Sequence, residues 1–118
     1  MSNLVVSNIS DGTTSVGTDY VVNGSAKAWV KGLSDATIVE SFNISGSVDN
    51  DIGDYTFSFT SSFVNSNYAS SATPQSGNDR CATVSGNTAS SSGIIIFDAS
   101  AGTNADNQPH GIYFGDLA

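Results

Sequence analysis

The sequence predicts an all-β domain, an antiparallel β-sandwich or a barrel-like variant of one, and three observations carry that expectation. Ser, Thr, Asn and Gly fill the chain while the strong helix formers Leu, Glu, Lys and Met are scarce, which disfavours helix interiors. From Asp54 to Thr60 the residues alternate strictly, Tyr55, Phe57 and Phe59 on one side and Thr56, Ser58 and Thr60 on the other, the period of a half-buried strand. Short apolar runs recur between Gly-, Ser- and Asn-rich breaks, the spacing of a sandwich.

With 118 residues the chain is one domain, large enough for a core of its own. Residues 1–24 read separately from the body at 25–118. They hold an apolar patch at Leu4–Val6, a polar run, then Tyr20–Val22 and an Asn23-Gly24 turn. That is material for one or two short strands and too little to fold alone, so an extended N-terminal arm is expected, anchoring the body or wrapping a neighbouring copy.

In the body, Ser25–Lys31 alternates Ala26, Ala28 and Val30 against Lys27, Trp29 and Lys31. Trp29 is expected at the edge of the core, its ring packed and the lysine stems lying along it. Gly32–Ala36 reads as a turn. Thr37–Ile44 reads as the first arm of a hairpin with Asp54–Thr60, joined by a polar turn over Gly46–Gly53. A hairpin alone is marginal in water, so the face of Tyr55, Phe57 and Phe59 needs a second layer from this chain or from another copy. Phe63 and Tyr68 read as anchors in an irregular connection, Thr73–Arg80 as a loop, Cys81–Val84 as a short strand and Ser85–Gly93 as another loop. The apolar run Ile94–Phe97 reads as a strand covered on both faces. One small chain has little material for both, so a neighbouring subunit is expected. After a polar loop at Ala99–Pro109, the chain closes on His110–Asp116, with Ile112 and Phe114 facing one way and Tyr113 the other.

Eleven acidic against three basic residues (Lys27, Lys31, Arg80) give a net charge of −8, so nucleic acid and anionic membrane are excluded as expected partners. No apolar run approaches the roughly 18 residues of a membrane span, and MSNLVVSNIS lacks the basic cluster of a Sec signal peptide. The N-x-S triplets at Asn8, Asn23 and Asn43 read as chance. Cys81 is the one cysteine; an internal disulfide is impossible and a small buried apolar role is expected.

No catalytic or cofactor-binding residue is assigned. His110 is the one histidine and reads as structural, no G-x-S-x-G elbow accompanies the many serines, and the aspartates fall mostly in turns, where they bond to backbone N–H groups. Asp49, Asp51 and Asp54 in DNDIGD partly match a calcium loop, but the closing Glu and the EF-hand spacing are missing. A plain hairpin turn is the first reading, with calcium the alternative. Trp29, Tyr20, Tyr68 and Tyr113 have the character of sugar-binding aromatics, while Tyr55 and Trp29 are needed for packing.

Two stretches, DGTTSVGTDYVVNGSAKAWV and SFNISGSVDNDIGDYTFSFTSSFVNSNYA, with the ending IYFGDLA, resemble domains at the C-terminal end of tail fibres, and in small virion structural proteins, of tailed bacteriophages infecting aquatic bacteria. The resemblance spans residues 10–118, loosely between Ala72 and Asn107. Its motifs are specific as a set and weak singly. Where those relatives continue with an Asn and an aromatic after the AWV run and carry a basic residue before the hairpin, this chain has Lys31-Gly32-Leu33 and Glu40. The resemblance implies a non-enzymatic, trimeric β domain on the virion surface, which works outside a cell after release by lysis. The function it implies is a tail-fibre or fibre-tip domain that attaches to a host-surface glycan or protein. The alternative is a capsid decoration protein anchored to the head, and so to other virion proteins, through residues 1–24. A glycan depolymerase is disfavoured, since Glu40 and turn aspartates offer no acid pair.

Overall fold

Aromatic alternation sets the centre of the fold: Tyr55, Phe57 and Phe59 are buried and Asp54, Thr56 and Ser58 are turned outward, as a period of two requires. The computed structural model describes residues 2–118. In chain order its elements are β1 (Asn8–Ser10), β2 (Ser15–Gly17), a helix α1 (Thr18–Gly24), β3 (Ala28–Gly32), β4 (Ile38–Phe42), β5 (Ile44–Asp51), β6 (Asp54–Phe59), β7 (Ala69–Pro74), β8 (Arg80–Ser85), β9 (Ser91–Asp98), β10 (Thr103–Asn104) and β11 (Pro109–Phe114).

The body is a sandwich of two antiparallel sheets. One has the order β4-β3-β11-β7; the other runs β5-β6-β9, with β8 on the far edge of β9 and β10 extending β9 beyond the end of β6. The chain passes between sheets at both edges, from β4 to β5 at Asn43 and from β7 to β8 through residues 75–79. Ala28, Val30 and Tyr113 from the first sheet meet Tyr55, Phe57, Phe59, Ile94 and Ile96 from the second. The expected second layer is therefore the chain's own, and the body does not need another copy to bury its aromatic face. At one end Phe59 meets Phe63, Tyr68 and Tyr113 edge-on at centroid distances of 5.0, 5.7 and 5.2 Å. Such pairs add about 0.5–1.5 kcal/mol each beyond their area.

The central hairpin differs from the one expected. Of Thr37–Ile44 only the last two residues meet Asp54–Thr60, Ile44 pairing with Phe59 and the Asn43 carbonyl accepting the Thr60 N–H: β4 pairs with β3 in the other sheet, and β6 pairs with β5, whose residues include most of the predicted turn. The connection shrinks to Ile52 and Gly53. Two backbone features explain this. Asn43 sits at φ 58 and ends β4; Gly53, at φ 64, makes the tight turn that its missing side chain permits. The polar residues of β5 find partners in place of apolar burial, Ser47 Oγ donating to the Ala36 carbonyl at 2.6 Å. Ile38 and Phe42 also part company. The register slips where Lys31 pairs with Glu40 and Gly32 with Ile38, and this bulge leaves Ile38 against the core and Phe42 55% exposed.

Two further expectations are corrected, and a third is met in part. β9 is flanked by β6 and β8 and covered on one face only: Ile94 and Ile96 are buried, while Ile95 is half-buried and Phe97 exposed. β7 lies where an irregular connection and the start of a loop were expected; ASSATP carries no apolar alternation, yet pairs along its whole length with β11. The N-terminal segment forms a β1–β2 hairpin, its turn held by Asp11 Oδ1 accepting the N–H groups of Thr13 and Thr14 at 2.9 and 2.7 Å. Tyr20–Val22, read as extended, lies in α1, which buries none of its residues.

Candidate interaction surfaces

The acidic turn is a folding device. Asp51 and Asp54 stand opposite each other in the β5–β6 register, Asp51 Oδ1 accepting the Ile52 N–H at 2.7 Å and Asp54 Oδ1 accepting from Asn50 Nδ2 at 3.3 Å. Asp49 lies exposed on β5. A residue outside the motif completes the turn: Asp106 Oδ1 accepts the Gly53 N–H at 2.9 Å. Among the described residues no group of three or more His, Cys, Asp or Glu is placed to hold a metal ion.

Cys81 is exposed rather than buried. It alternates outward on β8 between the half-buried Arg80 and Ala82, because the inward positions of this strand fall to Ala82 and Val84. Arg80 pairs with Asp98, whose carboxylate is held below its usual range chiefly by the Ala101 N–H, then by Ser100 and Arg80. His110 lies on β11 between Lys31 and Thr73. Its Nε2 is buried with no partner among the described residues, and burial, then the Lys31 charge, lowers its pKa. Both effects favour the neutral imidazole.

The four sugar-type aromatics do not converge. Tyr113 is in the core, Tyr68 is nearly buried with its hydroxyl donating to the Ser91 carbonyl at 2.8 Å, and Tyr20 stands exposed on α1. Trp29 points out of the first sheet, on the face opposite Ala28 and Val30. It is 37% exposed, and its strand register places it between Phe42 and Ile112. This forms an apolar row across three strands. The lysine stems do not both lie along it, since the Lys27 ammonium bonds to the carbonyls of Val22 and Ser25.

A second surface was not foreseen. At the aromatic end of the sandwich, a groove of about 590 Å³ lies between the loop after β6, the residues after β11 and Asn23 of α1. Phe63, Tyr68 and Phe114 form its apolar side, and Asn23, Asn65, Asn67 and Asp116 supply polar groups. The walls are tied by the Val64 N–H donating to the Asp116 carbonyl at 2.9 Å and by a bridge between Phe63 and Leu117. Gly115 permits close packing, as a Cβ there would stand 2.7 Å from Tyr68 Cβ. Tyr68 and Phe63 carried the one legible signal; the asparagines lie in a segment without periodicity.

A third exposed surface is the N-terminal segment, where Leu4, Val5, Tyr20 and Val22 are 60–91% exposed. No protein-family model, no curated protein and no solved structure matches this chain.

Proposed function

We propose that this chain is a non-enzymatic structural protein of a tailed-bacteriophage particle, displayed on the particle surface as a tail-fibre or fibre-tip type domain that attaches to the host. The observation that carries the reading is the contrast between a body with a closed core of its own and residues 2–24, none of whose apolar side chains joins that core and whose Leu4 and Val5 are 85% and 91% exposed. Exposed apolar groups gathered on one projecting segment mark a docking element, and a body that closes by itself can be displayed. Residues 1–24 then hold the body to other virion proteins.

Self-association as a homotrimer belongs to the same reading, now through the row of Phe42, Trp29 and Ile112 in place of a shared core. On a chain of charge −8, that face carries Lys31 opposite Glu40 in register, so another copy meets little repulsion there.

The alternative site is the capsid, with the same segment anchoring a decoration protein to the head. Both readings are tested by deleting residues 1–17, which removes the exposed Leu4 and Val5 and leaves Asn23 of the groove in place. A fibre tip keeps its binding to host cells without the segment; a decoration protein loses its binding to purified heads. A truncated body that neither binds cells nor differs from the full chain in binding to phage particles overturns both.

A further inference from the structure

We infer that the groove at the aromatic end of the sandwich is a binding site for a short neutral saccharide. The inference deepens the attachment reading above and rests on it for its biological setting. Ligand sites combine an apolar lining with a few converging polar groups, in cavities of about 300–1,000 Å³, and this groove, about 590 Å³, has the half-buried Phe114 above the buried Phe63 and Tyr68 on one side and amides on the other.

The polar groups are uncommitted. The side chains of Asn23, Asn67 and Asp116 make no hydrogen bond to the described residues, and Asn65 uses only Oδ1, to accept the Asn67 N–H at 2.8 Å. Side-chain amides offer a donor and an acceptor side by side and a carboxylate offers two acceptors, the complement of neighbouring sugar hydroxyls. Phe63 and Tyr68 are only 1% and 8% exposed, so the C–H face of a pyranose would rest on the half-buried Phe114.

Charge decides the class. No cation lines the groove, and the nearest lysine in sequence, Lys27, has its ammonium turned into the carbonyls of Val22 and Ser25. Asp116 and the overall charge of −8 repel phosphates, sulfates and sialic or uronic acids. Asp116 is also the only carboxylate in the lining. Glycoside hydrolysis canonically needs two, so the groove holds a sugar without cutting it.

The test is a two-dimensional NMR titration of the full chain with maltose, cellobiose, lactose and N,N′-diacetylchitobiose, and with 3′-sialyllactose as the acidic comparison. The expected result is saturable shifts of the Asn23, Asn65 and Asn67 side-chain amides with at least one neutral sugar, and weaker binding of 3′-sialyllactose than of lactose. Asn67→Ala and Asp116→Asn are expected to weaken neutral-sugar binding about tenfold each, with an unchanged circular dichroism spectrum. Shifts confined to other faces, tighter binding of the acidic sugar, or no saturable shift with any neutral sugar at 20 mM, a concentration chosen as roughly the weakest affinity of interest, overturns the inference. Parallel binding of the full chain to host cells separates the two ideas. Cell binding without groove shifts ends the saccharide inference and leaves attachment standing; groove shifts without cell binding do the reverse.

Discussion

The side-chain amide of Asn43 forms a two-way hydrogen bond with the backbone of Ser61, accepting its N–H at 2.7 Å and donating to its carbonyl at 3.0 Å. The pair clamps the corner at which the chain leaves one sheet for the other against the start of the loop that leads to the groove. Asn43 also holds φ 58, a region that Asn tolerates better than other residues with a side chain. Asn43→Ala loses both bonds and meets the backbone penalty, an expected destabilisation of about 2–3 kcal/mol. Asn43→Gly restores the backbone freedom and should recover about 1 kcal/mol of that. Urea unfolding of the two variants checks the order.

Gly53→Ala should be more damaging. A Cβ at this position would lie 2.6 Å from the Ile96 carbonyl oxygen and 2.7 Å from that of Ala105, both backbone atoms that cannot swing aside, and φ is positive. The expected loss is about 3 kcal/mol or more, with the Gly53 to Asp106 bond disrupted. Thermal unfolding of the purified variant, or its failure to accumulate as folded protein, measures it.

Tyr113 carries a buried hydroxyl with no partner among the described residues, and burial pushes its pKa up to about 12. Tyr113→Phe should be neutral or stabilising by up to about 1 kcal/mol at pH 7, since a desolvated polar group is removed and the neighbouring Ser92 hydroxyl already donates to Asn87 Oδ1 at 2.7 Å. The pH dependence has a definite sign. Between about 10, the unfolded value, and about 12, the folded state holds a proton that the unfolded state releases, so stability falls as pH rises through that window. Two pH units correspond to about 2–3 kcal/mol. Urea midpoints at pH 8 to 11 should fall less steeply for Tyr113→Phe; equal slopes would remove Tyr113 as the source.

The Trp29 row should govern association. Sedimentation equilibrium of the full chain at micromolar concentration is expected to show a trimer, and Trp29→Ser should shift it to monomer while leaving the fold intact, because the ring lies on the outer face. A wild-type monomer under those conditions refutes the trimer.

Cys81 should react with Ellman's reagent in the native protein without denaturant. Its sulfur lies on the open side of β8, so full reaction within minutes is expected; protection until unfolding would place it in an interface.

What the sequence determined alone was the fold class and the inward face of β6. A strict period of two in Tyr55, Phe57 and Phe59 leaves one way to bury three aromatic rings, and a chain poor in helix formers has few alternatives to a sheet. The alternation of β3 was legible on the same grounds. Pairing was not. Whether Thr37–Ile44 or Ile44–Asp51 lies beside β6 depends on where the chain turns the corner, and that rests on one asparagine at positive φ, one bulge and one glycine, none of which alters hydrophobic periodicity. β7 escaped notice because small polar residues can be held in a sheet by backbone bonds alone. Cys81 was misplaced because composition cannot tell which face of a short strand is inward. The groove arises only where residues distant in sequence, Asn23, Asn67 and Asp116, are brought together by the closure of the two sheets, so only the tertiary structure could reveal it.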